Sequence, residues 1–224
     1  MTIKLAVFDL AGTTLADDDA VAKAFKNAFA VYGFEVNEEN INPLMGYKKP
    51  LAIQIMLDKL GEEPSEELVA DIHREFEISM LEHYENSPDV KPLPGAENTL
   101  QHLKDKGIRI ALNTGFSRSI ADTILRRLQW MEKGLVDDYI ASDEVEAGRP
   151  QPFMIQTLMK RAGIDDAKEV IKIGDTEVDI NEGRNAGCAM VVAVTTGAFT
   201  RDQLAPYNPD YIIDELSQLK TLIN

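Results

Sequence analysis

Short apolar runs alternate with segments of helical periodicity along most of the chain. The first run, IKLAVFDL at residues 3–10, is followed by a glycine and two threonines and predicts a buried strand that ends in a polar loop. Beyond the middle of the chain, the predicted helices cover 96–106, 117–128, 152–162 and 179–186. The predicted strands between them cover 108–114, 138–143, 169–175 and 189–197, with a last short strand at 211–213. This alternation predicts an α/β fold, a doubly wound parallel sheet with a Rossmann-like core.

The block at residues 17–86 has a different pattern, because no strand-like run interrupts it. Apolar residues recur there at helical spacing in three stretches, 20–32, 51–60 and 66–84. The segment that follows, NSPDVKPLPG, is rich in proline and glycine and predicts a hinge. We therefore expect a core formed by residues 1–16 and 87–224, with residues 17–86 as a helical cap inserted after the first strand.

Charge and composition narrow the possible partners. The chain of 224 residues carries a formal net charge of −15, and such an acidic surface repels nucleic acid and anionic lipid. No apolar run reaches membrane-spanning length and the N-terminus has no secretory pattern, so we expect no membrane partner and a cytoplasmic location. The one cysteine, Cys188, precedes an apolar run and is expected to pack in the core. An anionic substrate would need a local positive site, such as a metal ion, a lysine or an arginine.

Polar residues cluster where the predicted strands end. Asp9 closes the first strand and Thr114 the next, Asp175 and Asp179 follow a later strand, and Arg149 lies in a loop before a core helix. Ligands of open parallel sheets bind beyond the carboxyl ends of the strands, so these side chains are expected to converge. Converging carboxylates repel one another unless a cation is present, which favours Mg²⁺ as the cofactor. Each residue also has an ordinary structural interpretation, since aspartate and threonine are common in turns and at helix N-termini.

Four motifs at these strand ends resemble the haloacid dehalogenase superfamily. They are DLAGTT at 9–14, NTG at 113–115, GRPQP at 148–152 and GDTEVD at 174–179. The resemblance implies a covalent aspartyl-phosphate on Asp9, with Thr114 binding a phosphoryl oxygen and Arg149 neutralising the transferring group. It also implies a mobile cap that closes over the site, and a Mg²⁺ ion. The implied metal site comprises Asp9, the backbone carbonyl of Ala11, Asp175 and, in support, Asp179.

Two departures from the superfamily pattern indicate one family within it. Ala11 stands where most members have a general acid, and Arg149 stands where most have a lysine. Both features, together with MGYKK at 45–49, resemble the phosphonoacetaldehyde hydrolase (phosphonatase) family, which cleaves a carbon–phosphorus bond. This resemblance implies that Lys49 forms a Schiff base with the substrate aldehyde, and it suggests a homodimer. The residues that it implies for substrate binding are Gly12, Thr13, Met45, Gly46, Gly115 and Phe116.

The combination of Ala11 with Lys49 is chemically coherent. An alkoxide that leaves a phosphate ester needs a proton, whereas a carbanion that leaves phosphorus can be stabilised by an adjacent iminium and depart as an enamine. We therefore predict a Mg²⁺-dependent hydrolase that cleaves the C–P bond of phosphonoacetaldehyde or a related 2-oxoalkylphosphonate. Its substrate would be a small phosphonate or phosphate.

Alternatives stay open at this point. Lys49 could belong to a solvated helix start, and Ala11 could mark lost activity. Three positions depart from the phosphonatase pattern, namely Asp19, Ala52 and Phe116, so the substrate could be another phosphonate or a phosphate ester. The rival functions are a phosphoglycolate-type phosphomonoesterase, a receiver-type signalling module and an inactive binding protein. The missing acid argues against the first, the helical block against the second, and the intact strand-end residues against the third.

Overall fold

The computed structural model describes residues 2–223 and contains a six-stranded parallel sheet. Its strands are β1 (Leu5–Phe8), β2 (Arg109–Thr114), β3 (Asp138–Ala141), β4 (Val170–Gly174), β5 (Met190–Val194) and β6 (Tyr211–Ile213). In space they follow the order β3-β2-β1-β4-β5-β6, and every neighbouring pair is parallel. The predicted α/β fold with a doubly wound sheet is confirmed, and the first strand lies inside the sheet.

Ten α-helices accompany the sheet within residues 2–223. They are α1 (Ala20–Val31), α2 (Glu38–Ile41), α3 (Lys49–Leu60), α4 (Glu66–Asn86), α5 (Ala96–Asp105), α6 (Arg118–Leu128), α7 (Phe153–Ala162), α8 (Glu177–Asn185), α9 (Arg201–Leu204) and α10 (Leu219–Leu222). Short 3₁₀ helices lie at Asn42–Leu44, Ser142–Glu144, Ala167–Glu169, Ala205–Tyr207 and Leu216–Gln218. None of the helices in this part of the chain has the length and apolarity that crossing a membrane requires.

Successive residues of β1 belong to two different hydrophobic clusters. Phe8 belongs to one and Val7 to the other, because adjacent side chains of a strand point to opposite faces of the sheet. Apolar helix residues complete both clusters, so both faces of the sheet are covered. Cys188 lies buried in the second cluster, as predicted, and burial raises the pKa of its thiol to about 12.

The structure differs from the predicted elements mainly at their ends. β1 ends at Phe8, because residues 10–15 form a tight turn. In this turn the N–H of Leu15 donates to the carbonyl of Leu10 at 2.9 Å. α8 begins at Glu177 instead of at Asp179. The reason is a capping box, in which Thr176 is the N-cap and the side chain of Asp179 accepts its backbone N–H.

Helices α1 to α4 form one insertion between β1 and β2. The chain leaves the sheet and returns to it through adjacent segments. The N–H of Ala16 donates to the carbonyl of Lys91 at 3.1 Å, and the N–H of Leu93 donates to the carbonyl of Thr14 at 2.9 Å. The inserted helices are thus joined to the sheet at one place, and their separate status as a mobile cap stays a prediction.

Aromatic residues connect the insertion to the rest of the molecule. Phe25 of α1 and Phe76 of α4 lie with their ring centres 4.5 Å apart. The ring centre of Phe76 lies 6.5 Å from that of Phe116, which follows β2. The insertion therefore packs directly over the loop at the carboxyl end of β2.

Candidate active site

The strand-end residues Asp9, Thr114 and Asp175 line one cavity. They come together because β2, β1 and β4 are neighbours in the sheet and all three strands point the same way. The cavity has a volume of about 420 Å³. Lys49, the first residue of α3, also lines it, so the cavity lies between the sheet edge and the insertion.

Three buried carboxylates form the centre of the site. One oxygen from each of Asp9, Asp175 and Asp179 lies within 4.8 Å of the other two. Thr13 donates from its hydroxyl to Asp175 at 2.8 Å, and the backbone N–H of Ala198 donates to the other oxygen of the same carboxylate at 2.9 Å. These contacts orient Asp175 without adding positive charge. The triad could hold a metal ion, and its oxygen donors suit Mg²⁺.

A buried arginine lies behind this triad. Arg149 approaches Asp9 Oδ1 with Nη2 at 2.7 Å and Asp179 Oδ1 with Nη1 at 3.0 Å. Its Nε lies 3.3 Å from Glu182 Oε2, and Nη2 also donates to the backbone carbonyl of Asn113. The contacts of Nη1 and Nε are ion pairs rather than directed hydrogen bonds. Arg149 therefore orients Asp9 from behind and does not form part of the cavity wall.

Lys172 and Glu182 extend this network, and neither was predicted. Lys172 of β4 lies 2.9 Å from Asp179 Oδ1 and donates to Asn113 Oδ1 at 2.7 Å. The side-chain amide of Asn113 donates in turn to both oxygens of Glu182, at 2.9 and 2.8 Å. The signal in the sequence was a lysine inside the apolar run VIKIG, because a lysine buried in a strand needs an anionic partner.

The charges of the buried network fit a divalent cation. The network holds four buried carboxylates and two buried cations, namely Asp9, Asp175, Asp179 and Glu182 with Arg149 and Lys172. If all of these groups are ionised, two negative charges have no counterpart among them. A divalent ion between Asp9 and Asp175 would neutralise both, so Mg²⁺ fits the site by charge as well as by ligand type.

The three carboxylates have unequal affinities for protons. Burial raises the pKa of Asp9, and the nearby Arg149 offsets only part of this. Burial, with repulsion from the other two carboxylates, raises the pKa of Asp175 well above its usual value. Burial opposes ionisation of Asp179 as well, but Arg149 and Lys172 outweigh it and its pKa is lowered. A cation beside Asp9 and Asp175 would therefore favour the ionised form of both carboxylates.

Lys49 is almost completely buried on the insertion side of the cavity, with 3% of its surface exposed. Its Nζ atom lies 5.1 Å from the ring centre of Phe116, 5.5 Å from that of Phe25 and 5.8 Å from that of Phe76. It forms no ion pair with any residue between 2 and 223. Burial therefore lowers the pKa of Lys49 to about 8, although Asp9 and other carboxylates attract its charged form. A solvated helix start does not describe this lysine.

The loop before this lysine, residues 45–48, is seated on the core. The hydroxyl of Tyr47 donates to Glu177 of α8 at 2.9 Å. Gly46 has a φ of +82°, and a Cβ there would lie 2.6 Å from the N-cap hydroxyl of α8. Gly115 faces the backbone carbonyl of Tyr47 with no room for a side chain. Because neither glycine has a side chain, the loop can approach the core closely, which determines where the following lysine lies.

Most of the predicted site residues share the cavity wall. Those that line it are Asp9, Ala11, Gly12, Met45, Gly46, Lys49, Thr114, Gly115, Phe116 and Asp175. Those that do not line the wall are Thr13 and Arg149, which contact residues of the triad, and Asp179, which belongs to the triad. Wall residues that were not predicted include Asp17, Thr176, Thr196, Gly197 and Ala198. The sequence TTGA after β5 was the available signal for the last three, but it is equally typical of a plain turn. The functional roles of all these residues stay predictions.

Lys172→Met should destabilise the fold by about 3–5 kcal/mol, because it leaves Asp179 and Glu182 buried with one cation fewer. The measurement is urea unfolding followed by circular dichroism. The matched control is Lys4→Met, which removes a 2.7 Å ion pair with Glu169 at the protein surface. Because solvent screens that pair, the control should cost no more than about 1 kcal/mol. Similar losses in the two variants would contradict a buried network that depends on Lys172.

Comparisons with known proteins identify the family of the chain. The family model for "haloacid dehalogenase-like hydrolase" matches residues 6–193. A curated relative from Bacillus cytotoxicus named phosphonoacetaldehyde hydrolase is 30% identical over 203 residues, which cover 84% of this chain and 74% of the relative. A solved phosphonoacetaldehyde hydrolase-like protein from Oleispira antarctica superposes with a TM-score of 0.87 at 23% identity, covering 100% of this chain and 92% of that one. A predicted phosphoglycolate phosphatase from Haemophilus somnus gives a TM-score of 0.83 at 21% identity, with coverage of 100% and 99%.

The chain belongs to the haloacid dehalogenase-like hydrolase family. The superfamily inferred from the four motifs is confirmed, and so is the enzyme class, a hydrolase that acts on phosphorus compounds. At their low sequence identities, the two solved structures show the fold alone.

Proposed function

We propose that the protein hydrolyses the carbon–phosphorus bond of phosphonoacetaldehyde or a related 2-oxoalkylphosphonate. The observation that carries this proposal is Lys49, a buried lysine without an anionic partner that lines the same cavity as Asp9. An amine surrounded by phenyl rings is easier to deprotonate than one held by carboxylates, and a neutral amine can capture a carbonyl group as a Schiff base. The name of the curated Bacillus relative supports the same substrate class.

Asp9 would be the nucleophile that accepts the phosphoryl group. Arg149 holds its Oδ1 at 2.7 Å, so the carboxylate is oriented and Oδ2 is left to attack. The hydroxyl oxygen of Thr114 accepts a backbone N–H at 3.2 Å, which leaves its O–H free to donate to a phosphoryl oxygen. Mg²⁺ held by Asp9 and Asp175, with Asp179 in support, would neutralise charge on the transferring group.

The proposed reaction needs no proton donor at residue 11. The neutral Lys49 amine condenses with the carbonyl group, takes up one proton and releases water, which leaves a cationic iminium. Asp9 then attacks phosphorus and the C–P bond breaks. Its electron pair forms the C=C bond of an enamine as the iminium π electrons move to nitrogen. Water finally hydrolyses the aspartyl-phosphate to phosphate. Protonation of the enamine carbon and hydrolysis of the resulting iminium release the phosphorus-free carbonyl product and the free lysine.

A small substrate panel tests the proposal through phosphate release, with and without Mg²⁺. We expect a 2-oxoalkylphosphonate to be hydrolysed much faster than phosphate esters such as phosphoglycolate, because Ala11 cannot protonate an alkoxide. Treatment with a chelator should stop the reaction. Faster hydrolysis of a phosphate ester would overturn the proposal in favour of a phosphomonoesterase.

We also propose that helices α1 to α4 act as a cap that closes over the cavity. The support is that they join the sheet at one place and contribute Lys49 to the cavity wall. Mg²⁺ with a phosphate analogue should slow amide hydrogen exchange at both crossings, residues 16–18 and 88–95, and change β1 and β2 little. Exchange measured by mass spectrometry would contradict a closing cap if both crossings were unaffected by the ligands.

A further inference from the structure

A second ionisable group shares the cavity with Lys49 and has no part in the phosphoryl transfer described above. Asp17 lies where the chain leaves the sheet toward α1, and its side chain is partly buried. Its Oδ1 accepts a hydrogen bond from the backbone N–H of Val21 at 3.3 Å, which orients the carboxylate. Asp17 and Lys49 both line the cavity, so both border the space in which a carbonyl group would bind.

The other carboxylates of the cavity are engaged or exposed. Asp9 is paired with an arginine, and Asp175 accepts hydrogen bonds from a threonine and a backbone amide. The exposed carboxylates of the cavity wall are Asp18, Asp19 and Glu38. Among residues 2–223, Asp17 is thus the cavity carboxylate that is partly buried and free of both an ion pair and the metal triad.

Schiff-base formation on Lys49 needs a group that moves protons. The ammonium has to lose a proton before its nitrogen can attack, and the carbinolamine hydroxyl has to gain one before it can leave as water. No histidine in the described part of the chain lines the cavity. Asp9 is committed to phosphorus, which leaves Asp17 as the suitable group.

We propose that Asp17 is the acid–base catalyst for Schiff-base formation on Lys49, which rests on the function proposed above. The Asp17 carboxylate accepts a proton from the ammonium. The amine nitrogen then bonds to the carbonyl carbon while one N–H proton passes to the oxygen. The Asp17 carboxylic acid protonates that hydroxyl, the C–O bond breaks and water departs. The net change converts ammonium and carbonyl to iminium and water, and it regenerates the Asp17 carboxylate.

The surroundings of the two groups favour this exchange. Burial raises the pKa of Asp17 to about 6, against the hydrogen bond from Val21 and the attraction of Lys49, and its neighbours Asp18 and Asp19 raise it further. Burial lowers the pKa of Lys49 to about 8. With a pKa difference of about 2, roughly one pair in a hundred holds the proton on Asp17, against about one in a few million for unperturbed side chains.

Asp17→Asn tests the proposal, because asparagine can still accept the Val21 hydrogen bond but cannot carry a proton. The readouts are kcat and the rate at which borohydride with a 2-oxoalkylphosphonate traps Lys49, followed by mass spectrometry. We expect both rates to fall by about 10²-fold, with an unchanged circular dichroism spectrum. Asp58→Asn is the matched control, since it removes an exposed carboxylate of α3 that does not line the cavity, and it should leave both rates nearly unchanged.

The pH profile is the readout that a helix-capping role would not alter. The titratable groups around Asp17 are Lys49 of α3, Asp18 and Asp19 of its own segment, and Tyr84 of α4. In the wild type, the rate at which borohydride traps Lys49 should rise as the pH increases through about 6, the pKa of Asp17. The reason is that the carboxylate form of Asp17 is the one that accepts a proton. Asp17→Asn should lack this rise and should follow the ionisation of Lys49 alone.

Two failures can be told apart. A wild-type enzyme that is never trapped overturns the proposed function and this role with it. If borohydride traps Lys49 in the wild type, and Asp17→Asn shows the same trapping rate and pH profile, the role of Asp17 is overturned and the proposed function stands. If Asp17→Asn does not fold, Asp17→Ser serves instead, since its hydroxyl can accept the same hydrogen bond, and the same results are expected.

Discussion

Replacing Lys49 with arginine is expected to lower turnover of a 2-oxoalkylphosphonate by several orders of magnitude. A guanidinium keeps the positive charge but cannot form a Schiff base. The variant therefore loses covalent catalysis completely. The measurement is kcat from phosphate release, compared between the wild type and Lys49→Arg. Near-normal turnover in Lys49→Arg on the best substrate would refute carbon–phosphorus cleavage through an iminium.

Lys48→Arg provides the matched control, because Lys48 adjoins Lys49 but does not line the cavity. It should keep nearly wild-type turnover. Borohydride with the substrate should inactivate the wild type irreversibly, and the reduced adduct should map to Lys49 in a digest. An adduct on Lys48 would show that the wrong lysine had been assigned.

Asp9→Asn is expected to abolish turnover, since an amide does not attack phosphorus as a carboxylate does. The fold should persist, because asparagine has nearly the same size and its side-chain oxygen can stay beside Arg149. Phosphate release measures the loss, and mass spectrometry of trapped wild-type enzyme should find the phosphoryl group on Asp9. The control Asp165→Asn changes an exposed carboxylate and should leave activity intact. A phosphoryl group on any other side chain would exclude Asp9 as the nucleophile.

The fold could be predicted because its signals are local. Apolar runs that alternate with helical segments indicate a parallel sheet, and Asp9, Thr114 and Asp175 could be assigned to one edge of it from their positions at strand ends. The strand order could not be predicted, since it depends on which strands pair in space. The predicted cytoplasmic location and homodimer stay predictions.

The surroundings of Lys49 could not be predicted from its neighbours in sequence. Pro50 and Lys48 next to it are typical of a solvated helix start. Its burial arises from rings far apart in the chain, Phe25, Phe76 and Phe116, which meet only when the insertion packs on the sheet. The partners of Lys172 could not be predicted for the same reason, because Asn113 and Glu182 belong to other elements.

The two adjacent crossings between sheet and insertion have an evolutionary consequence. Because Ala16 and Lys91 are hydrogen-bonded neighbours, the whole insertion is encoded by one contiguous stretch whose ends meet in space. Recombination at those ends could exchange it for another segment while the strand order and the Asp9 triad stay as they are. Lys49, the group proposed to engage the carbonyl, and the Asp9 triad, proposed to handle phosphorus, lie on opposite sides of that junction. New substrate preferences could therefore arise by exchanging a single gene segment around an unchanged Asp9 triad.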